Sequence, residues 1–384
     1  MLLKESKKYR NILKEVGISQ KEIDERLNNA FITFFYDENE RIYFEADDEM
    51  GYLVDTGNND VRTEGMSYGM MMCVQLDKKE EFDRIWKWSK THMFMEEGEN
   101  ENYFAWSCQT DGKKNSNGPA PDGEEFFAMA LFFASHRWGD GNGIFEYSKE
   151  AKELLKACLH KGENGRPGCP MWNRDNHQIL FVPGSPFTDP SYHLPHFYEL
   201  FSLWADEEDR NFWKEAAKTS REYFNKCCHI KTGLCSEYAH FDGTPVTDEL
   251  PWGYYGDFFS DAYRTVANIG LDAEWFGEDR GQFEIPAKVM NFFGTDLEAV
   301  RCAYKIDGTA TERPVLHPLG LLSTIAQGTL AIPYSTEEDS TFAKAKKWVY
   351  WFWNQPLRKG ERRYYDNCLY MFALLALSGN YRIW

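Results

Sequence analysis

Segments with helical periodicity alternate along this chain between two kinds. One kind is apolar almost all round, and these segments begin near residues 62, 122, 190, 261, 316 and 364. The other kind carries a single apolar stripe, as in residues 147–160, and follows five of the six apolar segments. A helix that is apolar all round is buried, whereas a striped helix has one face in solvent. The pattern therefore predicts helical hairpins, each with an inner and an outer helix.

The sixth apolar segment has no striped helix after it, but residues 19–35 near the start of the chain supply one. Ser19 and Glu22 form a capping-box pattern at its beginning. If this helix pairs with the last apolar helix, six hairpins close into a ring. We therefore predict an all-α fold, an (α/α)6 barrel forming one domain over residues 1–384, with minor short strands at 41–44 and 179–182. The other predicted helices cover residues 81–93, 122–138, 147–160, 192–204, 207–224, 261–276, 316–331, 342–353 and 364–378.

A polar residue stands at the start of every inner helix. In a ring of hairpins all inner helices run in the same direction, so their first residues lie at one end of the barrel. Three of the six residues are carboxylates, and converging carboxylates suit glycoside hydrolysis, which needs one protonated acid and one ionised base. The six residues are Glu64, Asp122, Tyr192, Asp261, His317 and Tyr364.

Glu64 has two interpretations. In the first turn of a buried helix it could serve only to complement the helix dipole, which favours the ionised carboxylate. Burial and a nearby Asp would instead raise its pKa toward that of an acid catalyst. The sequence leaves this balance open.

The amino-acid composition limits the kinds of molecule that the chain is expected to bind. A formal net charge of −18, from 61 acidic and 43 basic residues, argues against nucleic acid and anionic membranes as partners. Aromatic residues make up 16% of the chain, and aromatic faces stack on sugar rings as well as filling cores. No secretion signal or membrane span is readable, and the nine cysteines form no CxxC pair. We therefore expect a reduced cytoplasmic chain that acts on a small, imported substrate.

Two groups of potential metal ligands have weak patterns. Residues 227–240 contain three cysteines and two histidines, but these lack the paired spacing of zinc sites. His193 and His196 would share one helix face, yet no third ligand is evident. We predict neither a metal nor another cofactor.

Five stretches of the chain resemble glycoside hydrolase family 8. They occur in the family's order and cover nearly the whole chain. Within that family, the chain is most similar to members that release xylose from the reducing end of xylooligosaccharides. The resemblance implies an (α/α)6 barrel, an inverting mechanism and a xylooligosaccharide substrate of three or more units. The stretches are RTEGMSYGMMM, APDGEEFFAMALFFASHRWG, DPSYHLPHFYELF, SDAYRTVANIGLDAEWFG and RRYYDNCLYMFALLALSGN.

The resemblance also implies roles for individual residues. Glu64 would be the general acid and Asp261 the general base, while Tyr192 would help to hold the attacking water. Asp122 would bind the distorted sugar at the cleavage point, and Arg264 would orient the site.

Further implied roles concern the ends of the groove. Trp106 would stack beneath a sugar. Residues 304–318 are similar to an insertion that closes the groove beyond the leaving sugar, where His317 would recognise the reducing-end hydroxyl. One departure from the family is Glu124, where many members carry Asp. Asp257 competes with Asp261 as a candidate base.

Three alternatives stay open at this point. If residues 304–318 lie away from the groove, the chain would be an endo-acting β-1,4-glycanase of the same family, a xylanase, glucanase or chitosanase. The same barrel could also serve a non-catalytic oligosaccharide-binding protein. A metal-dependent barrel enzyme is the third alternative.

Overall fold

Helices account for most of the regular structure, as the sequence pattern predicts. The computed structural model describes residues 8–277, 283–294 and 301–384. Among these residues the α-helices are α1 Ile12–Glu15, α2 Gln20–Tyr36, α3 Thr63–Leu76, α4 Lys79–Trp88, α5 Pro121–Trp138, α6 Tyr147–His160, α7 Pro195–Trp204, α8 Arg210–Cys227, α9 Tyr263–Trp275, α10 Glu284–Phe293, α11 Pro318–Gly328, α12 Thr341–Trp353 and α13 Arg363–Leu377.

Six of these helices form an inner ring. Helices α3, α5, α7, α9, α11 and α13 pack against one another in that order, and α13 packs in turn against α3. The outer helices α4, α6, α8, α10 and α12 each pack on the inner helix that precedes them, and α2 packs on α13. The predicted (α/α)6 barrel, closed by a helix from the start of the chain, is confirmed.

The inner helices are buried on all sides and the outer helices on one side, as their sequences predict. Of the fifteen residues of α13, all but Arg363 are buried, and twelve of the fourteen residues of α3 are buried. Helix α4 instead buries only Phe82, Ile85, Trp86 and Trp88, which lie on one side of it. An inner helix surrounded by neighbours has little room for charged side chains, so most of its charged residues lie near its ends.

The strands are short, and they lie in connections between helices. Strands β1 (Tyr43–Glu45) and β2 (Gly51–Leu53) pair antiparallel, as do β3 (Val61–Arg62) and β4 (Ser107–Cys108). The prediction of a strand at residues 179–182 is wrong. Ile179 forms one isolated bridge with Trp172, after which the backbone turns.

Several helix ends differ in detail from the predictions. The helix predicted at 81–93 is α-helical to Trp88 and continues as a π-helical turn, Ser89–Met93. Two inner helices are entered through 3-10 turns, Pro190–Tyr192 before α7 and Ser260–Ala262 before α9. The capping box of Ser19 and Glu22 is present at the start of α2. Part of the mixed segment after α9, residues 278–282, lies outside the described residues.

None of the described helices combines the length and the apolar character that crossing a bilayer requires.

Glycines allow the inner helices to approach closely. A Cβ at Gly270 of α9 would lie 2.5 Å from the carbonyl oxygen of Gln327 and 2.8 Å from the Cα of Gly328, both on α11. At Gly65 of α3 a Cβ would lie 2.7 Å from the hydroxyl of Tyr364. The first contact sets the spacing of two helices, and the second leaves room for a side chain at the barrel mouth.

We predict that Gly270→Ala lowers the free energy of unfolding by about 2 kcal/mol, although alanine is the better helix former by about 1 kcal/mol. The reason is that the contacting atoms on α11 are backbone, which cannot move aside alone. Urea unfolding followed by circular dichroism measures the change. Gly118→Ala is the control, since its Cβ would meet only the Ser116 hydroxyl, at 3.5 Å. A Gly270→Ala protein as stable as the control would contradict the prediction.

Candidate active site

A cavity of about 720 Å³ opens at the end of the barrel where the inner helices begin. The direction of the inner ring explains this, because each inner helix brings its first turn to the same end. All of the site residues predicted from the sequence line this cavity: Glu64, Trp106, Asp122, Tyr192, Asp261, Arg264, His317 and Tyr364.

The Arg264 guanidinium joins the carboxylates of three inner helices. Its Nη1 donates to an oxygen of Glu64 at 2.9 Å and to the Tyr68 hydroxyl at 2.9 Å, and lies 3.5 Å from an oxygen of Asp122. Its Nη2 lies 3.3 Å from an oxygen of Asp261. A single buried cation therefore spans the gap between Glu64 and Asp261.

Glu64 is largely buried among polar and charged neighbours. Only 16% of its side chain is exposed, and the Tyr364 hydroxyl donates to its Oε1 at 2.9 Å. Burial raises the pKa of Glu64 to about 7, Arg264 opposes that shift, and the negative charges of Asp122 and Asp261 add to it. Burial therefore outweighs the effect of Arg264, and Glu64 holds a proton at neutral pH in a large share of molecules.

Asp261 has a more polar environment. About a third of its side chain, 32%, is exposed to the cavity. The preceding residue, Ser260, has φ of +35°, a strained conformation for a residue with a Cβ. The Tyr365 hydroxyl donates to the Ser260 carbonyl at 3.2 Å and braces this turn. The rival candidate Asp257 is buried beside Arg313, 3.6 Å away, and is not among the lining residues.

Asp189 is a residue that the sequence analysis missed. It is fully buried, accepts the backbone N–H of Ser191 at 2.7 Å, and lies 3.8 Å from Nη2 of Arg264. Burial raises the pKa of Asp189 to about 8. Its bond to Ser191 fixes the 3-10 turn that carries Tyr192, whose ring lies 5.6 Å from the Arg264 guanidinium carbon. An Asp before Pro-Ser is an N-cap pattern, and this was the available signal.

Burial also raises the pKa of Asp122, to about 6, although Arg264 opposes the shift. One oxygen of Asp122 accepts the N–H of Gly123 at 3.0 Å, and the other faces Arg264. The neighbouring Glu124, the departure from the family pattern, turns away and accepts the N–H of Phe104 at 2.9 Å. This departure therefore does not alter the cavity wall.

Aromatic rings form the rim of the cavity. Trp106 is 36% exposed and has the Arg62 guanidinium 5.3 Å from its ring centre. Trp252, which the sequence analysis also missed, is 52% exposed and lines the cavity too. Exposed indole faces on a polar cavity are suited to the apolar faces of sugar rings.

His317 stands at the beginning of α11. Its Nδ1 lies 3.3 Å from an oxygen of the fully buried Asp366, and its ring packs edge-on against Tyr365 at 4.8 Å. Asp366 orients the imidazole through Nδ1.

The candidate metal ligands do not converge. His193 contacts the hydroxyls of Thr188 at 3.2 Å and Ser220 at 2.9 Å, whereas His196 packs against the Trp275 ring. Residues 227–240 form no ligand cluster in the described part of the chain.

A different group, His160, Glu208 and Asp209, does lie within metal-binding distance. The imidazole of His160 contacts Asp209 at 2.7 Å and Glu163 at 2.9 Å, and Lys156 pairs with Glu208 at 3.5 Å. These contacts form an ion-pair network on the outer surface, remote from the cavity.

A helical barrel with unlike carboxyls at its mouth and exposed aromatic rings beside them is the arrangement of a glycoside hydrolase. A model of Glycosyl hydrolases family 8 matches residues 47–379. The chain is 59% identical over 381 residues to a reducing end xylose-releasing exo-oligoxylanase of Halalkalibacterium halodurans, covering 99% of this chain and 95% of that one. A protein of the same description from Bifidobacterium adolescentis is 52% identical, with 96% and 95% covered. The solved structure of Rex8A from Paenibacillus barcinonensis complexed with xylose matches with a TM-score of 0.92 at 52% identity, with 98% and 97% covered. The chain belongs to glycosyl hydrolases family 8.

The raised pKa of Glu64 has a consequence for stability. Between pH 4.5, the ordinary pKa of a glutamate, and about 7, the folded state holds a proton that the unfolded chain has lost. Stability therefore falls as pH rises through this window, by up to about 3 kcal/mol.

We predict that Glu64→Gln, which stays neutral, matches the parent stability near pH 4 and exceeds it above pH 7, by about 3 kcal/mol. Urea unfolding at several pH values measures the difference. Glu25→Gln, on the exposed face of α2, should show no such pH dependence. A constant difference between Glu64→Gln and parent across the range would contradict a raised pKa.

Proposed function

We propose that this chain is an inverting glycoside hydrolase that releases xylose from the reducing end of β-1,4-xylooligosaccharides of three or more units. The observation that carries the proposal is one guanidinium, Arg264, bonded at once to the largely buried Glu64 and to the more exposed Asp261. Family membership and the descriptions of the relatives support both the reaction and the substrate.

In this proposal Glu64 is the general acid. Its pKa near 7 keeps the proton available, and it donates this proton to the departing glycosidic oxygen. As the proton leaves, the new carboxylate is stabilised by the hydrogen bonds from Arg264 and Tyr364. The same two donors therefore favour the product form of the acid.

Asp261 is the general base of the proposal. Its partial exposure to the cavity lets it accept a proton from a water molecule, and Tyr192 helps to hold that water. Asp122, beside the acid, binds the sugar at the cleavage point. Water attacks the anomeric carbon from the face opposite the leaving group, so the configuration inverts.

The exo action rests on the groove end near His317. Its oriented imidazole lines the cavity and is suited to a hydroxyl of the terminal sugar. Trp106 would stack on a sugar ring. An endo-acting glycanase of the same family is the alternative, and it needs a groove open at both ends.

We also propose a single catalytic domain working in a reducing, cytoplasmic setting. All nine cysteines lie in the described ranges and are free, and eight of them are buried. Buried thiols without partners suit a compartment that keeps them reduced.

The products of xylotriose test the proposed reaction. We predict xylose and xylobiose in equal amounts, with the new reducing end first appearing as the α-anomer, since inversion converts a β-linkage. Proton NMR during the first turnovers measures both. A first-formed β-anomer would indicate retention, and no cleavage would refute the proposal.

Substitution of the two proposed catalytic carboxyls should abolish turnover without unfolding. We predict that Glu64→Ala and Asp261→Asn each lower kcat on xylotriose by about 10²–10⁴-fold, the usual contribution of a general acid or base. Circular dichroism checks the fold of each variant. Glu25→Ala and Asp24→Asn, on the exposed face of α2, serve as matched controls. Near-normal turnover by either site variant would remove that residue from its role.

A further inference from the structure

Residues 301–318, which we call the closing segment, end at His317 and the start of α11. The first part of this segment is fixed by its backbone. Phe258 and Tyr304 exchange two backbone hydrogen bonds of 2.7 and 3.1 Å, and Tyr304 also forms a bridge with Ala310. The Thr232 hydroxyl donates to the Ile306 carbonyl at 2.6 Å. This half therefore belongs to the barrel wall.

The second part of the closing segment lacks such support. Residues 312–316 form no backbone–backbone hydrogen bond with any other described residue. Pro314 and Val315 are exposed, Val315 by 58%. The C-terminal end of this stretch is held by the Arg358 guanidinium, which donates to the Leu316 carbonyl. Between these attachments, the position of the segment depends on side chains.

Arg313 is the side chain that turns inward from this stretch. Its Nη1 donates to an oxygen of Glu237 at 2.7 Å, its Nε lies 3.6 Å from Asp257, and its Nη2 donates to the Tyr254 carbonyl. The guanidinium carbon lies 4.9 Å from the centre of the Phe259 ring. Arg313 therefore contacts four residues on the barrel side of the groove.

The partners of Arg313 are buried. Glu237 is 2% exposed and Asp257 is 5% exposed, and Arg313 is the cation beside both. Burial raises the pKa of Glu237 to about 9 and raises that of Asp257, and Arg313 opposes both shifts. Loss of Arg313 would leave two buried carboxyl groups without this hydrogen-bonding cation, so each partner favours the closed position of the segment. A lysine offers one point charge and cannot reproduce the fork that reaches three acceptors.

This cluster adjoins the active-site cavity. Glu237 and Phe259 both line the cavity, as does His317, four residues after Arg313. Of the closing segment only His317 lines the cavity, so the position of the segment acts on the cavity through His317 and through the contacts of Arg313 with Glu237 and Phe259.

We propose that Arg313 is a specificity-determining positioning residue that holds the closing segment across the groove and so confines cleavage to the terminal sugar. The inference rests on the proposed exo activity. It assigns exo action to an ion-pair cluster on the wall, in addition to any contact that His317 makes with the substrate.

The test compares the products of xylotetraose for the parent and for Arg313→Met, at equal extents of conversion. The parent should give xylose and xylotriose in the first turnovers. In Arg313→Met the segment loses three polar contacts. We expect xylobiose, absent from the first products of the parent, to account for at least about a tenth of the first cleavage events, because losing a buried pair is strongly destabilising. Glu64 and Asp261 are untouched, so total bond cleavage should continue. A second substrate, soluble xylan, should gain internal cleavage, measured as a fall in viscosity.

Arg301→Met is the matched control. It makes the same replacement at an exposed position of the same segment, and its backbone N–H bond to the Tyr304 hydroxyl is retained. Its products should match those of the parent. Loss of stability alone would lower the amount of active enzyme without altering the product ratio.

Arg313→Lys and Glu237→Gln are the milder variants, and they carry the test if Arg313→Met does not fold. Each retains part of the cluster and should raise initial xylobiose to a smaller extent. Folded Arg313 variants that still release only xylose and xylotriose would overturn the inference. If the parent itself gives initial xylobiose, the proposed exo activity fails, whatever the Arg313 variants do.

Discussion

The structure of the active site depends on one buried positive charge. Arg264 is 5% exposed and lies within 4 Å of carboxylate oxygens from four residues. A buried guanidinium is costly unless carboxylates and hydrogen-bond acceptors surround it. Four carboxylates, however, exceed what one cation neutralises, so ionising all of them in this environment is unfavourable. The four are Glu64, Asp122, Asp189 and Asp261.

Burial, together with this excess of acid, explains how a carboxyl group of the cavity keeps a proton at neutral pH. Burial raises the pKa values of Glu64, Asp122 and Asp189 to about 7, 6 and 8. The remaining carboxylate, Asp261, is the one with a third of its side chain in the open cavity. The unlike roles that we propose for Glu64 and Asp261 would then follow from unequal burial around a shared cation.

Most of the fold and much of the site were accessible from the sequence, because both depend on helical periodicity. Apolar and striped helices define the two rings, and a ring of hairpins sends every inner helix start to one end. Six residues placed by this argument line one cavity. Tyr68 lies four residues after Glu64, one helical turn away, so it too was within reach.

Other features of the site depend on contacts between residues far apart in sequence, which no local sequence pattern indicates. Arg313 acts through partners far away in sequence, and its neighbours give little sign of this. At Asp189 the local N-cap pattern indicates the bond to Ser191 but not the approach to Arg264. Arg313, for example, contacts Glu237 across 76 residues. The positive φ of Ser260 is imposed by the turn that leads into α9. Because the residue is not a glycine, the sequence does not indicate this backbone conformation. The balance between dipole and burial at Glu64 likewise required the depth of the side chain.

The closure of the barrel by α2 and α13 has a consequence for folding. Helix α2 precedes the ring in sequence, and the Tyr364 hydroxyl of α13 reaches Glu64 across 300 residues. During synthesis, the side of α3 that packs against α13 therefore stays uncovered until α13, the last inner helix, has been made. The burial that lets Glu64 retain a proton is completed only at that moment. Protonation of this side chain would thus report on completed assembly, and partly made chains would carry an ordinary, solvated glutamate.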